Sequence, residues 1–118
     1  MWGKAYLYKP GDEIPQVTEL NKAPTLEFLQ QQVEGYVEKV PEFTKYIPPG
    51  EDKPRKCTVY CNEDGLMKQL PLNVIPTRLW NSILRNMGRP LRDPCILVGP
   101  ILITVNEPRK LQSGAAKK

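Results

Sequence analysis

Residues 25–40 read TLEFLQQQVEGYVEKV, and the spacing of the apolar residues changes partway along this stretch. Leu26, Leu29 and Val33 recur at helical spacing, so the first part predicts a helix with one apolar stripe facing a core. Thr25 is a suitable N-cap, because its hydroxyl can accept a hydrogen bond from a backbone amide of the first turn. The stretch therefore opens with an amphipathic helix.

The second part of the same stretch has the period of a strand. Gly35 is suited to end the helix in the left-handed conformation. Tyr36, Glu38 and Val40 then fall on one face, and the residues between them fall on the other. A helix that leads directly into a strand indicates a domain that contains both helices and strands.

Further strands are marked by β-branched, aromatic and other apolar residues elsewhere in the chain. Strands are predicted at 4–10, 57–62, 66–73 and 95–105, with a short extended piece near 17–20. A turn at 62–65 joins two of them into a hairpin. Residues 95–105, CILVGPILITV, are the most apolar stretch and predict a central strand that bends at Gly99-Pro100. Residues 76–88 predict a second helix.

The order of these elements predicts the α+β class. We expect a single domain over residues 1–108, with a mostly antiparallel sheet of about five strands and two helices packed on one face. Residues 41–56 are proline-rich and charged, which predicts an exposed loop. Residues 109–118 contain basic residues and no acidic ones, which predicts a flexible basic tail.

Composition excludes several classes of site. The chain has no histidine, so neither a Ser-His nor a Cys-His catalytic pair can form. Cys57, Cys61 and Cys95 include no C-x-x-C pair, which predicts buried thiols in a reducing compartment. The chain also has no glycine-rich phosphate loop and no cluster of acidic residues. We therefore expect no catalytic residue, no metal and no cofactor.

Four blocks of the sequence match the pattern of one family. They are KAYLYKP (4–10), TLEFLQQQVEGYVEKV (25–40), CNEDGLMKQLPLNVIPTRLW (61–80) and ILVGPILIT (96–104). In order and spacing they resemble a family of short, uncharacterised proteins of bacteria, phages and some large DNA viruses, known only as a domain of unknown function. The resemblance implies a fold and a viral or mobile-element context, and it implies no activity.

Two positions depart from the family pattern. Glu34 stands where the family has the first glycine of a Gly-Gly pair. Pro100 replaces an acidic residue that follows the glycine of the last strand. Any shared site that uses this acid is altered in the present chain.

Polar residues of the family pattern mark a candidate site. They fall on Glu38, Asn62, Glu63, Gly65, Pro71 and Asn73. A tight turn by itself explains Asn62 and Gly65, and Asn73 can order the start of the second helix by bonding backbone amides. The other interpretation is that side chains at one end of the sheet bind a small polar ligand or a partner loop. The candidate residues for that site are Tyr36, Glu38, Asn62, Glu63 and Asn73.

Basic residues mark an alternative site for nucleic acid. Arg78 and Arg85 are seven positions apart in the predicted second helix, so they share a face away from its apolar stripe. Such a face can follow a phosphate backbone, although a solvated basic face is the simpler interpretation. No helix-turn-helix, zinc-finger or paired-aromatic motif is present. The candidate residues are Arg78, Arg85, Arg89, Arg92 and Lys110.

These observations favour a non-enzymatic viral or mobile-element accessory protein that binds a protein partner. The partner is expected to be a host protein, a viral protein or a second copy of the chain, and nucleic acid is the alternative. The loop at 41–56 and, if it lies at an edge, the strand at 95–105 are candidate interfaces. No apolar run approaches the roughly 18–20 residues of a membrane span, and no signal peptide is evident. We therefore expect no membrane contact and a location in the host-cell cytoplasm.

Overall fold

The computed structural model describes residues 1–88 and 95–107. Within these residues the chain forms one five-stranded antiparallel sheet, one two-stranded ribbon and two helices. The elements are β1 (Gly3–Tyr8), β2 (Gln16–Leu20), α1 (Leu26–Val33), β3 (Val37–Lys39), β4 (Lys45–Tyr46), β5 (Arg55–Lys56), β6 (Thr58–Asn62), α2 (Val74–Asn86) and β7 (Ile101–Asn106). The predicted α+β class, with five antiparallel strands and two helices, is confirmed. The predicted tail at 109–118 lies outside the described residues.

The strand order of the sheet is β2-β1-β7-β6-β3, which places β7 in the centre. Residues 101–105 of this strand are all buried. The second half of the most apolar stretch therefore forms the strand that is covered on both faces, whereas residues 95–100 of the predicted strand precede β7 and lie outside it. β1 pairs with one side of β7 and β6 with the other, so β7 is not an edge strand. The condition under which it was a candidate interface is therefore not met.

The two helices lie on opposite faces of the sheet. The α1 face contains Ala5, Leu7, Leu29, Val33 and Leu102. The α2 face contains Tyr6, Tyr8, Val59, Ile101, Ile103 and Val105, against which Leu79, Trp80 and Ile83 pack. Successive side chains of a strand point to opposite faces, so Leu7 and Tyr8 belong to two separate layers. The prediction that both helices pack on one face is wrong, because β1 and β7 are apolar on both faces and need cover on each.

Segment 41–56 is exposed in only part of its length. Residues 49–54 are exposed, as predicted for a loop. Phe43, Tyr46 and Pro48 are buried, and the first two join the cluster on the α2 face. The prediction of an exposed loop is therefore wrong for these three side chains, which anchor the ribbon of β4 and β5 on the sheet.

The ends of α1 follow the sequence with one exception. The hydroxyl of Thr25 accepts a hydrogen bond from the Phe28 amide at 3.1 Å, as expected of an N-cap. At the other end, Glu34 and not Gly35 adopts the left-handed conformation, with a φ of 62°. The expectation that Gly35 ends the helix in this way is wrong, and a side chain occupies a position that favours glycine.

The predicted strand at 66–73 is also wrong, because the chain makes consecutive turns after β6. The Leu70 amide donates to the Gly65 carbonyl at 3.0 Å, and Gln69 adopts a left-handed conformation with a φ of 55°. This pattern ends a single helical turn. The segment thereby leaves the sheet and does not return beside β6. We call residues 63–70 the turn segment.

Candidate functional site

A groove of about 200 Å³ opens beside β3, near the end of the sheet where β6 stops. It lies on the α2 face. Its walls come from β3, β6, the turn segment, α2 and the segment that precedes β7. Residues that line it include Glu38, Cys61, Glu63, Leu66, Trp80 and Ile96. The groove therefore collects side chains from parts of the chain that are distant in sequence.

Hydrogen bonds hold two of the walls in place. The indole Nε1 of Trp80 donates to the carbonyl of Pro41 at 2.9 Å, which fixes α2 to the chain after β3. The Leu97 amide donates to the hydroxyl of Thr77 at 2.9 Å, and the Asn81 side chain donates to the Cys95 carbonyl at 2.7 Å. These bonds fasten residues 95–98 along α2. Two walls of the groove are thus held by hydrogen bonds within the fold.

The rim of the groove is apolar and exposed. Leu66 is 66% exposed, and Ile96 is 40% exposed. Leu66 stands in the turn segment between Gly65 and Met67, where a turn alone would not require an apolar side chain. Exposed apolar side chains gathered around a concavity are typical of a surface that contacts another molecule.

Two carboxylates border the same groove. Glu38 lies directly across from Cys61 in the β3–β6 ladder, so both side chains point to the α2 face. Glu63 follows β6, and its amide donates to the Tyr36 carbonyl at 2.8 Å. Lys39 also lines the groove, but it pairs with Tyr60, which packs on the α1 face, so strand alternation directs its side chain to the opposite face from that of Glu38. The charged side chains on the groove side of these two strands are therefore acidic.

Cys61 is unsuited to act as a nucleophile in this groove. Burial, and to a smaller extent the charge of Glu38, raise the pKa of the Cys61 thiol to about 11. Near neutral pH the thiol therefore stays protonated, and only the thiolate is a good nucleophile. The groove offers apolar walls and two carboxylates, which suit binding.

The polar atoms of the Asn62 side chain form hydrogen bonds within the fold. Its Nδ2 donates to the carbonyls of Val33 and Glu34 at 3.1 and 3.2 Å, and its Oδ1 accepts from the Asp64 amide at 2.8 Å. The side chain thus closes the end of α1 and starts the turn segment. With its polar atoms used in this way, Asn62 has a structural role.

Asn73 is likewise internal. Its side chain has 0% exposure, and its Nδ2 donates to the carbonyls of Tyr8 and Gly99 at 2.8 Å each. Its Oδ1 has no hydrogen-bond partner within residues 1–88 and 95–107. Asn73 joins the end of β1 to the bend before β7, and it does not line the groove.

The sequence-based site is therefore brought together only in part. Glu38, Asn62 and Glu63 line the groove, although the polar atoms of Asn62 are bonded within the fold, and the exposed Tyr36 precedes β3. The predicted site did not include Leu66, Trp80 and Ile96, although the apolar pair Leu66-Met67 inside a turn is a signal that could have pointed to this segment.

The basic face proposed for nucleic acid is described only in part. Arg78 and Arg85 are both exposed on α2. Arg89, Arg92 and Lys110 lie outside the described residues.

Across residues 1–88 and 95–107, no group of three cysteine, aspartate or glutamate residues could hold a metal ion. In the same part of the chain, no helix is long and apolar enough to cross a membrane.

The four blocks that form the sheet, α1, the turn segment and α2 fall within one family model, which matches residues 3–111. The chain belongs to the DUF3846 family, a domain of unknown function. No curated protein and no solved structure matches it. In this DUF3846 member, the groove beside β3 is the candidate functional site.

Proposed function

We propose that this chain is a non-enzymatic accessory protein that binds a protein partner in the groove beside β3. The observation that carries the proposal is the exposed apolar rim of Leu66 and Ile96 around a groove with hydrogen-bonded walls. Burying such side chains against a partner is the main source of affinity in protein interfaces. The resemblance to proteins of phages, bacteria and large DNA viruses supports a viral or mobile-element context and action in the host-cell cytoplasm.

The size of the groove favours a protein partner over a small-molecule ligand. Its volume is about 200 Å³. Pockets that enclose a small-molecule ligand are commonly about 300–1,000 Å³. A groove of this size suits one or two anchoring side chains of a partner, with the surrounding surface supplying the rest of the contact.

Matched variants on the turn segment test the proposal. Leu66 lines the groove, whereas the next residue, Met67, is 87% exposed and does not line it. Both changes, Leu66→Ser and Met67→Ser, remove an exposed apolar side chain. Proteins that co-purify with the tagged wild-type chain are identified, purified and titrated against both variants by calorimetry.

We expect the partner to bind the Met67→Ser variant as it binds the wild type and to lose about tenfold or more in affinity for Leu66→Ser, since burying one leucine contributes about 1.5–3 kcal/mol. Partners that do not distinguish Leu66→Ser from the wild type would contradict the proposal.

The alternative is nucleic-acid binding by α2, favoured by the exposure of both Arg78 and Arg85 on one helix. Binding of this kind weakens steeply as salt is raised, because phosphate contacts release counterions. The double change of Arg78 and Arg85 to alanine would then weaken binding to a DNA duplex. Salt-sensitive DNA binding that is lost in this variant and kept in Leu66→Ser would favour the alternative.

A further inference from the structure

We infer that the partner adds an extended, basic segment as a further strand on the outer edge of β3, with one of its side chains in the groove. This inference rests on the proposed protein binding. It names the backbone edge that is used and the chemistry of the segment that fits it.

The outer edge of β3 presents backbone groups in position for another strand. The Val40 amide donates to the Val59 carbonyl at 2.8 Å, and the Tyr36 carbonyl accepts from the Glu63 amide. In an antiparallel ladder the residues that bond to the neighbouring strand alternate with residues whose N–H and C=O groups point away. The backbone groups of residues 37 and 39 therefore point away from β6. Because β3 ends the sheet order, no strand of the described chain pairs with them.

The groove distinguishes this edge from the other one. At β2 the side chains of residues 16–19 are exposed, and Val17 is the large apolar residue among them. Beside β3, in contrast, Leu66 and Ile96 surround a concavity on the α2 face. A strand added to β3 would direct alternate side chains to that face, where the groove can receive one of them.

Charge complementarity selects a basic segment. Glu38 points to the α2 face from the middle of β3, and Glu63 borders the groove on the same side. A residue opposite Glu38 in an added strand meets a carboxylate, so lysine or arginine is favoured there. A second copy of this chain that pairs through β3 around residue 38 would place two Glu38 side chains opposite each other, which is unfavourable. The occupant is therefore a basic segment of another protein.

A proline at position 39 tests the edge directly. Since the Lys39 amide points away from β6, Lys39→Pro removes a donor for the added strand and no bond of the β3–β6 ladder. Lys39→Ala is the matched control, because it removes the same charge and keeps the amide. The probe is a displayed library of random peptides, about 12 residues long, which exceeds the length of a typical strand.

We expect the peptides selected on the wild type to be enriched in lysine or arginine with apolar residues two positions away. Their affinity falls about tenfold or more in Lys39→Pro and stays within about twofold in Lys39→Ala. Bound peptide slows hydrogen exchange of the Val37 and Lys39 amides in the wild-type chain, a readout that holds even if the proline variant unfolds. In a Glu38→Gln and Glu63→Gln double variant, the preference for basic peptides disappears.

The outcomes separate this inference from the proposed function. If the selected peptides bind Lys39→Pro as tightly as the wild type but do not bind Leu66→Ser, strand addition is overturned. Binding in the groove would then still stand. Strand addition is likewise overturned if peptide binding leaves the hydrogen exchange of the Val37 and Lys39 amides unchanged. A selection that yields no peptide sensitive to Leu66→Ser overturns both.

Discussion

Gly35 lies so close to the side chain of Asn62 that a Cβ at position 35 would be 2.6 Å from the Asn62 Nδ2. The amide cannot simply move aside, because it is bonded to the carbonyls of Val33 and Glu34. The glycine is therefore required by a close approach between α1 and β6. Its role is to let Asn62 hold the end of the helix on the sheet.

A double-mutant cycle tests this relationship. Gly35→Ala is expected to cost about 1–3 kcal/mol in the free energy of unfolding, because it overfills the space that Asn62 occupies. In an Asn62→Ala background the same change is expected to cost less, since the obstructing amide is gone. Urea unfolding of the wild type, both single variants and the double variant measures the coupling. Costs that add to within about 0.5 kcal/mol would show that the two residues are independent.

Glu34→Gly is expected to stabilise the protein by about 0.5–1 kcal/mol, because the left-handed conformation at this position is costly for any residue with a Cβ. The control is Gln31→Gly, at an exposed position inside α1 where glycine is expected to cost about 1 kcal/mol. Thermal and urea unfolding measure both changes. Destabilisation by Glu34→Gly would mean that the Glu34 side chain makes a contribution that outweighs its backbone strain.

Local sequence patterns predicted the features that depend mainly on residues close together in the chain. Thr25 caps α1, and the second half of the most apolar stretch forms the central strand. The position of the two helices on opposite faces of the sheet was not predicted. The signal was present in β1, where the apolar side chains of Leu7 and Tyr8 point to opposite faces. A strand that is apolar on both faces already indicates cover on both sides.

The groove could not be predicted from local patterns. Its walls depend on the approach of Trp80 to Pro41 and on the fastening of residues 95–98 along α2. Those contacts join residues that are far apart in the chain, and no periodicity encodes them. For the same reason, the sequence alone could not show whether the side chains of Asn62 and Asn73 form hydrogen bonds within the fold or bind another molecule.

Asn73→Ala is expected to destabilise the protein by about 2–4 kcal/mol, because it leaves the buried carbonyls of Tyr8 and Gly99 without their donor. Asn86→Ala, at an exposed position at the end of α2, is the control and is expected to have little effect. Chemical unfolding measures both. A cost for Asn73→Ala no larger than that for Asn86→Ala would contradict the internal role of this side chain.

The hydroxyl groups of Tyr8 and Tyr46 form a buried hydrogen bond of 2.8 Å. Removing one hydroxyl leaves the other without its partner, so Tyr8→Phe and Tyr46→Phe are each expected to cost about 1–3 kcal/mol. The double change removes both polar groups and is expected to cost less than the two single changes together. Urea unfolding near neutral pH measures the three variants. Single and double costs that are simply additive would show that the hydroxyls do not depend on each other.

The same pair sets an alkaline limit to stability. Burial, and then the hydrogen bond with Tyr8, raise the pKa of Tyr46 well above its usual value, and burial also raises the pKa of Tyr8. The unfolded chain loses these protons near pH 10, while the folded chain keeps them, so ionisation favours the unfolded state. The stability that the pair contributes is therefore complete below about pH 10 and falls as the pH rises further. Urea midpoints of the wild type should fall more steeply above about pH 10 than those of the Tyr8→Phe and Tyr46→Phe double variant. Because both proteins keep Cys57 and Cys61, the difference between them isolates the tyrosines, and parallel alkaline profiles would contradict this role.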